Sequence, residues 1–278
     1  MFEPGTLADA LGKERRIALK FGASWCGMCD ELERLVLSGG PGRALFSELE
    51  TRSIDFDASP ELSERFAILE LPTVVVLQPD GLEVGRIVGF DDRASWVAEA
   101  RAAVAADDPL PQLRAEAAEG SPRALRRLGE ALLSREPAEG VALLERVSWL
   151  DGGEAEAALW VLGRFHHRVR RDPATARFVW QQLALRWPLG GHGGWWWYAK
   201  AQAALGRVDL GSAAFEAWVA REPKHVPALT DWARFCGRHA YEPARDAIRA
   251  AVMSALGRAR GADRDALEEL VIQLGKPF

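Results

Sequence analysis

The sequence predicts an α/β part over residues 1–107 followed by an all-helical part over 113–278, and three observations carry that reading. Apolar, β-branched runs at Arg16–Phe21, Ile54–Phe56, Val74–Leu77 and Glu83–Phe90 alternate with helical stretches, but only in the first third of the chain. Asp107-Asp108-Pro109-Leu110-Pro111 then interrupts the pattern, and two prolines in three residues cannot continue a helix. Beyond this linker (108–112) the strand-like runs vanish and an Ala-, Leu- and Arg-rich text with helical periodicity takes over.

Each element has a local reason. Arg16-Ile17-Ala18-Leu19-Lys20-Phe21 reads as the first clear strand, and the helix that follows runs from Cys29 to Leu37. Only residues 1–15 precede that strand, so an opening strand is expected to be missing. Ser38-Gly39-Gly40-Pro41-Gly42 reads as an insert with a short helix after it. Asp80-Gly81 supplies a hairpin turn between two strands, and Arg93 to Ala106 reads as the last helix of this part. Gly120-Ser121-Pro122 has the order of a turn, an N-cap and a first-turn proline.

The chemistry lies in Trp25-Cys26-Gly27-Met28-Cys29, which places two thiols one helical turn apart directly after a strand. A thiol in the first turn of a helix faces unpaired N–H groups and the positive end of the dipole, which favour thiolate. Two intervening residues let the sulfurs meet, so Cys26 can attack a substrate disulfide and Cys29 can resolve the mixed disulfide. A zinc site is disfavoured, because the remaining cysteine, Cys236, is far downstream and no histidine precedes His166. A disulfide with a purely structural role stays open. Asp30 and Glu31 follow Cys29, and negative charge there opposes thiolate formation.

These residues resemble the thioredoxin family. Phe21-Gly22-Ala23-Ser24-Trp25-Cys26-Gly27-Met28-Cys29 is similar to its active-site segment, and Leu71-Pro72-Thr73 to its cis-proline loop. Gly89 stands where the family has a late glycine on the edge strand. The resemblance covers residues 6–106. The insert is more similar to the bacterial branch related to disulfide-reducing membrane proteins than to small thioredoxins. It implies an oxidoreductase with no cofactor beyond the Cys26–Cys29 disulfide. It also implies Trp25 shielding one side of that disulfide, and an electron donor of thioredoxin-reductase type. If Pro72 is cis, the backbone of Leu71 would run extended past Cys26 and pair with a substrate segment; the alternative is that Pro72 simply starts a strand. The chain departs from the family at Lys20, where a buried acid is common. A buried lysine must be neutral or paired, so a Lys20–Asp55 contact is expected beneath the site. Met28 replaces the common proline between the thiols.

The second part contains a repeat. Trp160, Trp180 and Pro188 recur as Trp195, Phe215 and Pro223, each shifted by 35 residues, and Gly206 falls at a turn. This resembles the tetratricopeptide repeat, whose helix pairs bury their faces by stacking into a curved array. By that register Trp195 belongs to the core, and Trp196 with Lys200 lines a groove that binds a protein segment. Trp197 either packs on the neighbouring helix pair or lies exposed. The order of the two parts is similar to chaperedoxin-type co-chaperones, which hold unfolding proteins.

Composition sets the remaining limits. The chain has 278 residues, 48% of them hydrophobic, and a net charge of −5, which gives no reason to expect a nucleic-acid partner. The N-terminus lacks a basic and apolar leader, and no apolar run is long enough to span a bilayer. Three cysteines suit a reducing compartment, so the cytoplasm is expected. Arg164, His166, His167, Arg168, Arg170 and Arg171 read as a solvated helix end. His192, His225 and His239 share no ligand spacing, so no metal is assigned, and Cys236 reads as a small buried hydrophobe.

Overall fold

The computed structural model describes residues 2–11, 13–187, 194–223 and 225–276, the side chains at 40, 41 and 43 excepted. It falls into two compact units, Met1–Leu150 with Arg168–Arg170, and Asp151–His167 with Arg171–Phe278.

The first unit is built on a five-stranded sheet in the order β1-β3-β2-β4-β5. Its strands are β1 (Glu3–Pro4), β2 (Ile17–Gly22), β3 (Glu50–Asp55), β4 (Thr73–Leu77) and β5 (Glu83–Val88). β1 and β2 run parallel to β3, while β4 is antiparallel to β2 and to β5. Contrary to the expectation of no opening strand, the two-residue β1 is present, because Glu3 and Pro4 pair in parallel with Arg52 and Ser53 of β3. α1 (Gly27–Leu32) continues as a π-helical turn, Glu33–Leu37, and α2 (Gly40–Phe46) follows the insert. α3 (Pro60–Arg65) and α4 (Arg93–Ala105) complete the layers, with Asp92 capping α4 by accepting from Ala94 and Ser95 N–H.

Strand alternation divides the core. Ile17, Leu19 and Phe21 pack on one face with Ile54, Phe66 and Val75. Ala18 faces the opposite way, with Leu32, Val36, Val74 and Trp96. Gly85 has no room for a side chain, since a Cβ there would lie 2.7 Å from the Ala103 carbonyl oxygen of α4. Gly81 and Gly89 adopt φ of +87° and +75°, the left-handed region that glycine enters freely.

Three helices after the proline stretch group with this sheet: α5 (Leu110–Ala118), α6 (Pro122–Leu132) and α7 (Pro137–Ser148). Ser121 caps α6 by accepting from Ala124 N–H at 3.2 Å. Arg135 donates to the Glu83 carbonyl and, at 2.7 Å, to Asp108, while Ser134 donates to Glu83 at 3.1 Å. Arg135 and Ser134 of the α6–α7 loop thus meet the first residue of β5, the edge strand of the sheet. Compactness divides the chain at 150 instead of at 108–112, because prolines end one helix without preventing the next ones from folding back.

The second unit is mainly helical over its described residues: α8 (Gly153–Arg164) running into a π turn (Phe165–Val169, of which Arg168 and Val169 group with the first unit), α9 (Pro173–Arg186), α10 (Gly194–Ala204), α11 (Val208–Arg221), α12 (Val226–Arg238), α13 (Arg245–Leu256) and α14 (Gly261–Leu274). α11 repeats α9 at a spacing of 35 residues at both ends, 173 to 208 and 186 to 221. Trp180 and Phe215, which the repeat equates, are both fully buried. Gly206 turns the chain between α10 and α11 at φ +74°. Pro188 and His192 lie outside the described residues.

One expectation changes here. Arg164 is only 5% exposed, with its guanidinium 5.0 Å from the Trp160 ring and 4.4 Å from the Trp197 ring, so the basic run is not simply a solvated end. A guanidinium is weakly hydrated and stacks on aromatic faces, which a charge pattern does not reveal. Trp197 takes the packed alternative, stacking on Trp180 at 5.6 Å. Lys200 lies over Trp197 at 4.6 Å, and Trp196 packs against Phe215 at 6.1 Å and beneath Arg238.

Burial in α12 pushes the Asp231 carboxyl above the usual carboxylate range, against the pull of Arg234 and His225. A folded pKa above the unfolded value means that the folded state binds more protons, so this contribution falls as pH rises through the folded pKa. Asp231→Asn is expected to raise the midpoint of thermal unfolding at pH 7 and to leave it unchanged near pH 3. An equal effect at both values would refute this origin.

Candidate functional site

Site geometry begins with Cys26, the N-cap of α1. Its Sγ accepts from Cys29 N–H at 3.2 Å, and its carbonyl accepts from Cys29 and Asp30 N–H at 2.9 and 3.3 Å. Cys26 and Cys29 are joined as a disulfide with Cα atoms 5.3 Å apart. When the bond opens, the N–H that already points at Cys26 Sγ favours its thiolate, as a helix start does. Asp30 and Glu31 are exposed and oppose this effect.

Both cysteines are buried, at 6% and 8% exposure, whereas Trp25 and Met28 beside them are 57% and 44% exposed. The reactive bond therefore sits at the floor of an apolar surface. Trp25 is held from the side, its Nε1 donating to Asp57 at 2.6 Å. The Leu71–Pro72 peptide bond is cis, and Leu71 packs in the same buried cluster as Cys26 and Cys29. Thr73 follows directly on β4, its hydroxyl donating to the Glu70 carbonyl at 2.8 Å.

Lys20 does not meet Asp55. The sheet register sets Asp55 opposite Gly22, and its carboxylate accepts from Asp57 and Ala58 N–H at 2.9 and 2.8 Å. Lys20 instead donates to Glu33 at 2.6 Å, with its side chain only 13% exposed, and lies 5.9 Å from the Phe2 ring. Sequence reasoning missed Glu33. The available signal was its spacing, four residues after Cys29, which puts the two on one helix face.

Among the described residues no group of three or more His, Cys, Asp or Glu could hold a metal ion, and no helix is long and apolar enough to cross a membrane. Cys236 is buried in α12, where burial pushes its thiol up, and its Sγ lies 3.6 Å from Ser212 Oγ.

A dithiol closed at the start of a helix, on a mixed sheet flanked by helices, defines a thiol–disulfide oxidoreductase. No protein-family model matches the chain. A thioredoxin of Mycobacterium tuberculosis (strain ATCC 25618 / H37Rv) is 30% identical over 91 residues, covering 33% of this chain and 76% of that protein. A thioredoxin of Chlamydia muridarum is 37% identical over 84 residues, covering 29% of this chain and 76% of that protein. A bifunctional thioredoxin reductase/thioredoxin of Mycobacterium leprae is 29% identical over 88 residues, 32% of this chain and 19% of that protein. The chain belongs to the thioredoxin family, and the likeness lies in about its first third.

Proposed function

We propose that this protein exchanges disulfides with protein clients in the cytoplasm. Cys26 is the attacking thiol and Cys29 the resolving thiol. The observation that carries the reading is a buried disulfide at a helix start, bordered by exposed Trp25 and Met28. An extended client segment lies along Leu71 and Pro72, so that its own disulfide meets Cys26 Sγ. The Cys26 thiolate breaks that bond, forming a mixed disulfide and releasing one client thiolate. Cys29 then attacks Cys26 Sγ, which closes the intramolecular disulfide and frees the second client thiol. An electron donor of thioredoxin-reductase type restores the dithiol, a reading favoured by the fused reductase of the M. leprae relative. Reduction of insulin by dithiothreitol tests it: wild type accelerates the reaction, and equal rates with and without the protein would end this reading.

The residues after the proline linker, 113–278, are proposed as a tetratricopeptide-like array that recruits the client. The 35-residue spacing of α9 and α11 supports this. Trp196 and Lys200 are the proposed contacts. Trp196→Ala and Lys200→Ala are each expected to raise KM for a protein substrate about threefold or more with kcat unchanged, the mark of lost uniform binding. An unchanged KM in both would remove the recruiting role. The same repeat spacing favours a second reading, a co-chaperone whose redox chemistry is secondary. In that case wild type and Cys26→Ser suppress client aggregation equally, and neither speeds insulin reduction.

A further inference from the structure

We infer that Glu33 is the proton acceptor for Cys29, with Lys20 as its positioning residue. The inference deepens the exchange reaction above and rests on it. Between β2 and the helix over it, side chains meet in rungs. Ala18 shares a buried cluster with Leu32 and Val36. Lys20 bonds Glu33 at 2.6 Å. At Gly22 a Cβ would lie 3.5 Å from Cys29 Sγ, so that sulfur fills the space a side chain would take. Strand residues 18, 20 and 22 share one face by the pleat, and residues 29 and 33 share one helix face. The ion pair is therefore the rung directly beneath the resolving thiol.

Rung spacing is roughly 6–7 Å, two strand residues or four helix residues, within reach of a proton transfer through one water. Other acids near Cys29 are occupied or turned outward. Asp55 caps the 57–58 turn, Asp57 holds Trp25, and Asp30 and Glu31 are exposed. Lys20, nearly buried, fixes the carboxylate and offsets its charge.

The step balances. In the mixed disulfide, the Cys29 thiol gives its proton to Glu33 and its sulfur attacks Cys26 Sγ. The Cys26–Cys29 bond forms as the bond from Cys26 to the client sulfur breaks. The electron pair leaves on the client thiolate, which takes up a proton. The protein dithiol is oxidised and the client disulfide reduced.

The test is single-turnover release of the second thiol from a peptide disulfide by the reduced full-length protein, between pH 5.5 and 9. Glu33→Gln is expected to slow resolution about a hundredfold near pH 6. The loss should fade towards pH 9, where Cys29 ionises without help, and the first attack by Cys26 should keep its rate. Lys20→Met is expected to slow resolution less, and to add nothing to Glu33→Gln. Glu99→Gln, an exposed acid on α4, is the control. A Glu33→Gln profile superimposed on wild type at every pH would overturn the inference while leaving the oxidoreductase reading intact. A wild type that forms no mixed disulfide overturns both. If Glu33→Gln does not fold, Glu33→Asp carries the test: its shorter reach gives an intermediate rate near pH 6, and the wild-type rate there overturns the inference.

Discussion

Cys26→Ser is expected to return insulin reduction to the rate of dithiothreitol alone. A serine hydroxyl is not ionised at neutral pH and cannot form the sulfur–sulfur bond that the exchange requires. The environment of Cys26 makes this loss complete. Its Sγ receives Cys29 N–H at 3.2 Å and heads α1, whereas the Cys29 sulfur lies against Gly22. The two cysteines are therefore not interchangeable. Cys29→Ser should still attack the client and stop at a mixed disulfide, visible as a mass increase equal to one client chain that dithiothreitol removes. A Cys26→Ser protein retaining wild-type turnover, or a Cys29→Ser protein that traps nothing, would contradict the assigned order of attack.

Trp180→Ala carries the largest expected effect on stability. Trp180 is fully buried in α9 and stacks on Trp197 at 5.6 Å. The α8 backbone presses against it so closely that a Cβ on Gly163 would come within 2.6 Å of its ring. Truncating a tryptophan in such a site removes its transfer energy and leaves a cavity, at a cost of about 3–5 kcal/mol. The unfolding midpoint of the helical unit should fall by roughly 10 °C, read by far-ultraviolet circular dichroism. A fall of less than about 3 °C would mean that α8, α9 and α10 do not depend on this wedge. Gly163→Ala is expected to destabilise the same unit by overpacking the ring from the other side.

The parts of the site that were legible in the sequence are the local ones. The placement of Cys26 and Cys29 after a strand and the turn at Asp80-Gly81 follow from neighbouring residues, whereas Pro72 and Gly89 were marked by the family resemblance. The helical character of the second part was legible as well, and α9 and α11 stand 35 residues apart, the spacing of Trp180 and Phe215. Lys20 shows where such reading stops. Its need for a partner followed from burial alone, yet the choice of Glu33 over Asp55 depended on sheet register and on which helix turn lies above it. Arg164 is a second case, its charge hidden between Trp160 and Trp197.

By itself, then, the amino-acid text determined the dithiol, its seat at a helix start, the alternation of strands and helices, and the helical character of the rest. Tertiary structure alone decided that α5–α7 group with the sheet, that Lys20 pairs with Glu33, and that Trp197 stacks inward. The physical reason is range. Periodicity, caps and turns act over a few residues and are written in their order, whereas long polar and aromatic side chains take their partners from whatever the folded layers bring within reach.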